Sequence, residues 1–325
     1  MSVVLVTGAG GFVGSAIVRR FVRGPVCFVD GAPVEHVVAL LRPEGSTERL
    51  DEVAGVGSWT IERGNVADPD VFTEILERVR PRAIVHAALD ADAYLVEDEQ
   101  RFAVRPLSTL LEALATVRDS RLIHVGSAWV LGAGAGLDES APLSPTTAYA
   151  RNKARMDLLL PELAERFGVV WINLRLFNLF GRYENEARLL PTLVTSLSRG
   201  EAAELTHGEQ VRDFNDVETV AEAFACALAA PDTACRSVYH IGSGRGTTVR
   251  RFALDIAAAL GRPELVRFGV AAAQDEGLPA LVADPTRACR RLGWQPDLDL
   301  SSRVGAAVSW WLDRLDAAAP AELPA

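Results

Sequence analysis

The sequence predicts an α/β fold: a doubly wound parallel sheet carrying a smaller mixed α/β lobe. Three observations predict it. Short, nearly continuous apolar runs alternate with stretches of helical periodicity, the pattern of strands covered by helices on both faces. A glycine-rich turn directly follows the first of those runs. The 325 residues suffice for one large α/β domain with an attached lobe.

Taken in order, strands are expected over 3–7, 26–30, 58–63, 82–88, 121–127 and 169–176. Helices are expected over 12–23, where Phe12, Ile17, Val18 and Phe21 share a face, and over 69–79, 100–116 and 147–167. After Arg175 the pattern loosens. A helix near 187–199, one over 216–229, a strand over 238–241 and helices near 247–260 and 302–315 complete the reading. The Ala/Pro tail from 317 is expected to fray.

Bulk properties narrow the class. Hydrophobic residues make up 49% and charged residues 23%, as in soluble globular proteins. A net charge of −10 argues against nucleic-acid or anionic-membrane partners, which need basic surface. Cys27, Cys226, Cys235 and Cys289 form no CxxC pair and have no His at metal spacing. Cys27 and Cys226 lie in apolar runs and read as buried thiols. The first strand leaves no room for a signal peptide, and no apolar run approaches spanning length, so a cytoplasmic location is expected.

Gly8, Gly11 and Gly14 close a strand and open a helix. Glycine permits the tight turn, lets backbone approach a pyrophosphate and packs helix on sheet. Phe12 and Val13 then bring helix N-terminal N–H groups to the anion. This is the cradle of a Rossmann dinucleotide site. Asp30, sixteen residues beyond Gly14, ends the expected second strand. A carboxylate there would accept bonds from the adenosine ribose and favour NAD. Alternatively Asp30 starts the turn Asp30, Gly31, Ala32, Pro33. In a rival register the second strand is 36–43, and Arg42 holds the 2′-phosphate of NADP; Val34, Val37, Val38 and Leu41 fit a helix equally well. Spacing favours Asp30. Asn65 and Val66 follow the third strand, where side chains meet adenine, and Asp68 reads equally as a helix N-cap.

Tyr149 and Lys153 are one helical turn apart and share a face. An ordinary phenol, with a pKa of about 10, is a poor base near neutrality. A neighbouring ammonium, helped by the nicotinamide cation, would lower that value, and the lysine could also reach the nicotinamide ribose. Ser127 ends the fifth strand, at the carboxyl edge where ligands of such sheets sit.

Further motifs give the chain a family resemblance. They are Val85, His86, Ala87, Ala88; Leu174, Arg175, Leu176, Phe177, Asn178, Leu179, Phe180, Gly181; Gln210 to Phe214; His240 to Gly244; and Leu292 to Pro296. With the cradle and the Ser127, Tyr149, Lys153 trio, the chain resembles the extended short-chain dehydrogenase/reductases, in their nucleotide-sugar epimerase, dehydratase and ketoreductase branch. The resemblance implies that Asn178 and Arg212 contact the diphosphate of a nucleoside-diphosphate sugar. It places Phe177 beside the nicotinamide and has Ala87 and Ala88 line the cofactor. As a bare sequence feature, Arg212 reads equally as a surface ion pair with Asp213 or Asp216.

Departures from the family pattern matter. Dehydratases carry an Asp-Glu pair after the catalytic hydroxyl; here Ala128 and Trp129 follow Ser127, which argues against 4,6-dehydration. Val130, Leu131 and Gly132 stand for a Val-Tyr-Gly. Ala103 to Leu107 occupy a place where many relatives have an Asn.

The expected organisation is a dinucleotide-binding domain over 1–178, joined by about 216–245, with a substrate lobe from 179–215 and 246–325. The expected activity is NAD(P)-dependent reduction of a 4-keto nucleotide sugar at C4, with a 4-epimerase as alternative. A reading from another class is a dinucleotide-binding protein without turnover. The 100–116 and 147–167 helices could pair with their copies in a homodimer.

Overall fold

The computed structural model describes residues 1–117, 120–271 and 277–318. Seven parallel strands form the central sheet: β1 (Val3–Thr7), β2 (His36–Leu41), β3 (Trp59–Arg63), β4 (Ala83–His86), β5 (Arg121–Ser127), β7 (Val170–Leu176) and β12 (Ser237–Ile241), ordered β3-β2-β1-β4-β5-β7-β12. Strand order reverses between β1 and β4, so the crevice at their carboxyl ends is where a dinucleotide belongs.

Alternation along β1 sets the two layers. Val4 and Val6 face one cluster with Ile17 and Phe21 of α1 (Phe12–Arg23) and Phe224 of α6 (Val217–Ala229). Val3 and Leu5 face the other, with Phe72 of α2 (Pro69–Val79), Leu110 of α3 (Arg105–Thr116) and Leu160 of α4 (Ala148–Phe167). Both faces are covered along β1, β2 and β4, which explains why these strands read as nearly unbroken apolar runs.

The remaining elements build the lobe. A four-stranded sheet runs β13 (Thr247–Thr248), β10 (Val211–Arg212), β15 (Ala280–Ala283), β6 (Gly134–Leu137). Two small pairs join β11 (Asn215–Asp216) to β8 (Leu179–Phe180) and β14 (Val266–Phe268) to β9 (Ala203–Leu205). Helices α5 (Leu189–Ser198), α7 (Val249–Ala259) and α9 (Leu300–Ala318) share a core of Leu193, Phe252, Ile256 and Trp311, while α8 (Thr286–Leu292) packs on β12. Residues of the expected frayed tail beyond 318 lie outside the described residues.

One expected strand is wrong. Residues 26–34 form a hairpin, with Cys27 bridged to Pro33 and the Phe28 amide donating to the Ala32 carbonyl at 2.9 Å. The second strand is His36–Leu41, in register with β1 from Val3 opposite His36 to Thr7 opposite Leu40. Val26 and Phe28 bury their side chains under α1, and burying each is worth about 1.5–3 kcal/mol. That burial made the hairpin read as a strand. Two smaller differences follow. Cys27 and Cys226 are half-buried rather than buried, and the 100–116 helix begins as a wide π turn over Gln100–Val104.

Candidate active site

The cradle is shaped by what glycine omits. Gly8 sits at φ +65°, and a Cβ there would lie 2.7 Å from the carbonyl carbon of Ala87 and the amide nitrogen of Ala88. A Cβ on Gly14 would lie 2.2 Å from the Gly8 oxygen. These residues therefore let the end of β4 and the first turn of α1 close on one point. The Gly11 amide donates to Gly8 at 2.9 Å, and α1 then starts at Phe12 with no side chain capping it. The N–H groups of its first turn suit a pyrophosphate. Ala87 and Ala88 donate their amides to the carbonyl and hydroxyl of Thr7, both at 3.3 Å. The Thr7 hydroxyl also bonds His86 at 2.9 Å, and burial pushes that imidazole down to about 3, so it is neutral.

The ribose end departs from expectation. Asp30 lies at the amino edge of the sheet, where Arg82, just ahead of β4, donates to its carboxylate at 2.9 Å. The Ala32 amide closes its turn at 3.1 Å. The cradle is at the opposite, carboxyl edge, so the fold does not bring Asp30 and the glycine turn together. Arg42 does follow the true second strand, exposed in a loop whose Ser46 carbonyl would be 2.9 Å from a Cβ on Gly10. Arg63 clasps that loop through the carbonyls of Arg42, Pro43 and Gly45 at 3.3, 2.7 and 3.0 Å. Asn65 and Val66 follow β3 at the same edge; the Asn65 side chain closes a turn to Ala67 at 3.0 Å and Val66 is half-buried. Asp68 caps α2 through the Val71 amide.

Helix α4 delivers the trio. Thr147 caps it by accepting from Ala150 at 3.1 Å, which sets Tyr149 and Lys153 on successive turns facing β5. The Lys153 ammonium donates to the Val125 carbonyl at 2.9 Å, two residues before Ser127. Ser127 is buried and accepts from the Trp129 amide at 3.3 Å. Burial raises the Tyr149 phenol above its ordinary value; Tyr94 adds to this, and the hydrogen-bonding Ser127 hydroxyl opposes it. Among the chain's own groups desolvation dominates, so the phenol is held protonated; the expected lowering drew on the nicotinamide cation as well as on Lys153. Burial also pushes Lys153 down to about 8, with Asp157 working the other way. Asp157 is itself buried against Arg175 at 2.7 Å and Asn173 at 2.8 Å.

Asn178 and Arg212 line one cavity of about 410 Å³. Arg212 is buried rather than at the surface, and burial lowers its pKa; its guanidinium lies 5.5 Å from the Trp129 ring centroid. The neighbouring Asp213 carboxylate accepts from the amides of Ser243, Gly244 and Ala283 at 2.8, 2.9 and 3.1 Å. Phe177 is buried edge-on to His240, with ring centroids 5.3 Å apart.

Sequence reasoning missed several neighbours. The Tyr94 ring stacks on Tyr149 with centroids 4.6 Å apart and planes 3° from parallel. Its segment is clamped to α4 by Asn152, which donates to the carbonyls of Ala93 and Val96 at 3.0 and 2.9 Å. Arg151 and Arg155 pair with Glu97 and Glu99 alongside. A polar residue between Tyr149 and Lys153 was the available signal for this clamp. Glu184 and Arg188, also in the cavity wall, carried none.

Residues 4–242 match the NAD dependent epimerase/dehydratase family. The dTDP-glucose 4,6-dehydratase of Streptomyces niveus is 27% identical over 318 residues, covering 95% of this chain and 93% of that protein. The UDP-glucose 4-epimerase of Mycolicibacterium smegmatis is 25% identical over 321 residues, covering 95% and 98%. Among solved structures, the dTDP-glucose 4,6-dehydratase of Streptomyces venezuelae with NAD bound has a TM-score of 0.83 at 26% identity, over 97% of this chain and 98% of that one. The UDP-glucose 4-epimerase of Thermotoga maritima, with UDP-glucose, has a TM-score of 0.81 at 23% identity, over 96% and 99%, a likeness of fold.

Proposed function

Since the chain belongs to the NAD dependent epimerase/dehydratase family, we propose that it reduces a 4-keto nucleoside-diphosphate sugar at C4, using a nicotinamide dinucleotide. One observation carries the reading. Tyr149, its proton held by burial, and Ser127 stand together at the carboxyl edge of the sheet, with Lys153 bonded to the same strand. The close backbone approach that Gly8 and Gly14 permit, beside the uncapped first turn of α1, fits a dinucleotide, which when bound would supply or accept the hydride.

The roles of the chain's own residues follow from their chemistry. Tyr149 gives its phenolic proton to the sugar oxygen as that oxygen becomes an alkoxide. Ser127 orients the same oxygen. Lys153, largely charged at neutral pH, offsets the phenolate left behind. Asn178 and Arg212 hold the diphosphate, the guanidinium offering paired N–H donors. Phe177 flanks the nicotinamide through its packing on His240 and β12. Residues 1–178 and about 216–245 form the dinucleotide half, and 179–215 with 246–325 the substrate lobe.

Trp129 stands where a dehydratase would need an acid, which supports plain reduction over 4,6-dehydration. A 4-epimerase uses the same trio in both directions, and two of the relatives above carry that name. For the cofactor, the position of Arg42 after β2 supports NADP, reversing the preference drawn from Asp30. Leu158 on α4 and Leu95 are largely exposed and offer apolar surface for pairing α3 and α4 with their copies in a homodimer. Among the described residues no helix is long and apolar enough to cross a membrane, and we place the protein in the cytoplasm.

The test is turnover of 4-keto-dTDP- and 4-keto-UDP-hexoses with NADPH or NADH, against UDP-glucose without added dinucleotide. A reductase consumes reduced cofactor stoichiometrically; an epimerase works without it. Tyr149→Phe should lower kcat by about 10²–10⁴-fold while dinucleotide binding persists. Unchanged turnover in that variant ends the assignment.

A further inference from the structure

The cavity that holds Asn178 and Arg212 contains three acceptor oxygens with no hydrogen-bond partner among the described residues. They are Glu184 Oε2, Asn178 Oδ1 and Gln210 Oε1. Buried polar atoms are nearly always satisfied, and each lapse costs about 1–3 kcal/mol. Three in one wall indicate a ligand that brings donors.

Glu184 is the most exacting of the three. Its side chain is 7% exposed, and its other oxygen lies a long 3.7 Å from Arg188 Nε. The turn that delivers it is fixed from several sides. Tyr183, just before it, takes a left-handed φ of 62°, which non-glycine residues rarely adopt. The Tyr183 ring packs on Trp310 at 4.4 Å and under the Arg19 guanidinium at 4.9 Å, and its carbonyl accepts from Arg49 at 3.2 Å. The Glu184 amide donates to Gly181 at 3.4 Å. A rigid mount keeps the carboxyl in the cavity wall, with Oε1 towards Arg188 and Oε2 without a hydrogen-bond partner among the described residues.

The position within the cavity says which part of a ligand it meets. Leu176, eight residues before Glu184, lies opposite Ser127 in the β5–β7 register, so the chain carrying the Glu184–Arg188 pair leaves the sheet at the edge where the proton donor stands. The Arg188 charge acting on the Tyr149 and Tyr94 phenols agrees with this. A diphosphate would be repelled by the carboxylate and sits against Arg212 instead. An ammonium group would meet two guanidinium groups in the same space. A neutral hydroxyl satisfies all of these constraints.

We infer that Glu184 is a specificity-determining residue that accepts a hydrogen bond from a hexose hydroxyl of the nucleotide sugar. This rests on the substrate class proposed above. It assigns to Glu184 the discrimination between a sugar nucleotide and the bare nucleoside diphosphate.

The experiment measures binding of UDP, dTDP, UDP-glucose and dTDP-glucose to the full-length protein by calorimetry. The readout is the gain in affinity that the hexose adds to the preferred nucleoside diphosphate. At pH 8, where the carboxyl is ionised, Glu184→Ala should reduce that gain by about tenfold or more, as expected for a lost bond to a charged group, with bare UDP and dTDP not weakened. If Glu184→Ala does not fold, Glu184→Gln keeps the volume and should still reduce the gain, because an amide oxygen is the weaker acceptor. An unchanged gain, or an equal loss for the sugar nucleotide and the bare diphosphate, overturns the role of Glu184 and leaves the proposed function standing. Failure of the wild-type protein to bind any of the four overturns both.

Discussion

The two halves of the crevice are made of different material. The cradle half is backbone: three glycines, the first turn of α1 and the end of β4, closed by main-chain bonds such as Gly11 to Gly8. The cavity half is side chain, gathered from loops after β7, β8 and β9 and from β10, and it retains acceptor oxygens without a hydrogen-bond partner among the described residues. Backbone geometry is nearly all-or-none, because a Cβ either fits or collides. Side-chain geometry is graded, because a group can be shortened, neutralised or replaced. Substitutions in the first half should therefore act abruptly, and those in the second in proportion to the group removed.

The sharpest break should come from Gly14→Ala. A Cβ 2.2 Å from the Gly8 oxygen cannot be accommodated by a side-chain movement, since both partners are backbone. Helix α1 must shift away from β1, and its N–H groups leave the pyrophosphate position. Dinucleotide affinity should fall by about 100-fold or more, on the order of 3 kcal/mol, together with a lowered melting temperature. Near-normal affinity in Gly14→Ala would show that the turn is not held by this contact.

The ribose end lies between the two kinds. Its loop is clasped through backbone carbonyls by Arg63, but the group that would read the phosphate is the exposed side chain of Arg42. Arg42→Ala should weaken NADPH by about tenfold, the lower range for a bond to a charged group at an exposed site. NADH should be nearly unaffected. Equal weakening of both cofactors would mean that Arg42 supports the loop rather than the 2′-phosphate.

This contrast also explains what could be read from the sequence. Glycines 8, 11 and 14 were legible because their role depends on local chain order, and the Tyr149–Lys153 pair because helical spacing fixes it. The error at Asp30 arose where two apolar runs, 26–29 and 37–41, compete for one strand. Only the register with β1 decides between them, and register is a non-local property. The desolvation that raises the Tyr149 phenol was not legible for a related reason: the ring stacked over it is Tyr94, fifty-five residues away in sequence. Glu184 was invisible because a lone glutamate in a loop reads as solvated surface until a cavity is seen around it.

The last of these effects carries a sign that the fold alone determines. Burial raises the Glu184 carboxyl from its ordinary 4.5 to about 7, against the pull of Arg188. A raised carboxyl pKa means that the folded protein binds the proton more tightly than the unfolded chain does. The stabilisation is therefore complete below pH 4.5 and is lost as pH climbs through 7. Glu184→Gln cannot ionise and should not share this loss. Its unfolding free energy should be close to wild type near pH 4.5, then exceed it by about 1–3 kcal/mol at pH 8, read by denaturant titration at the two pH values. A hexose hydroxyl bonded to the ionised carboxylate would offset part of that penalty, so saturating sugar nucleotide should narrow the gap at pH 8. Identical pH profiles for the two proteins would place the Glu184 carboxyl in water, outside the buried wall where the cavity half of the crevice needs it.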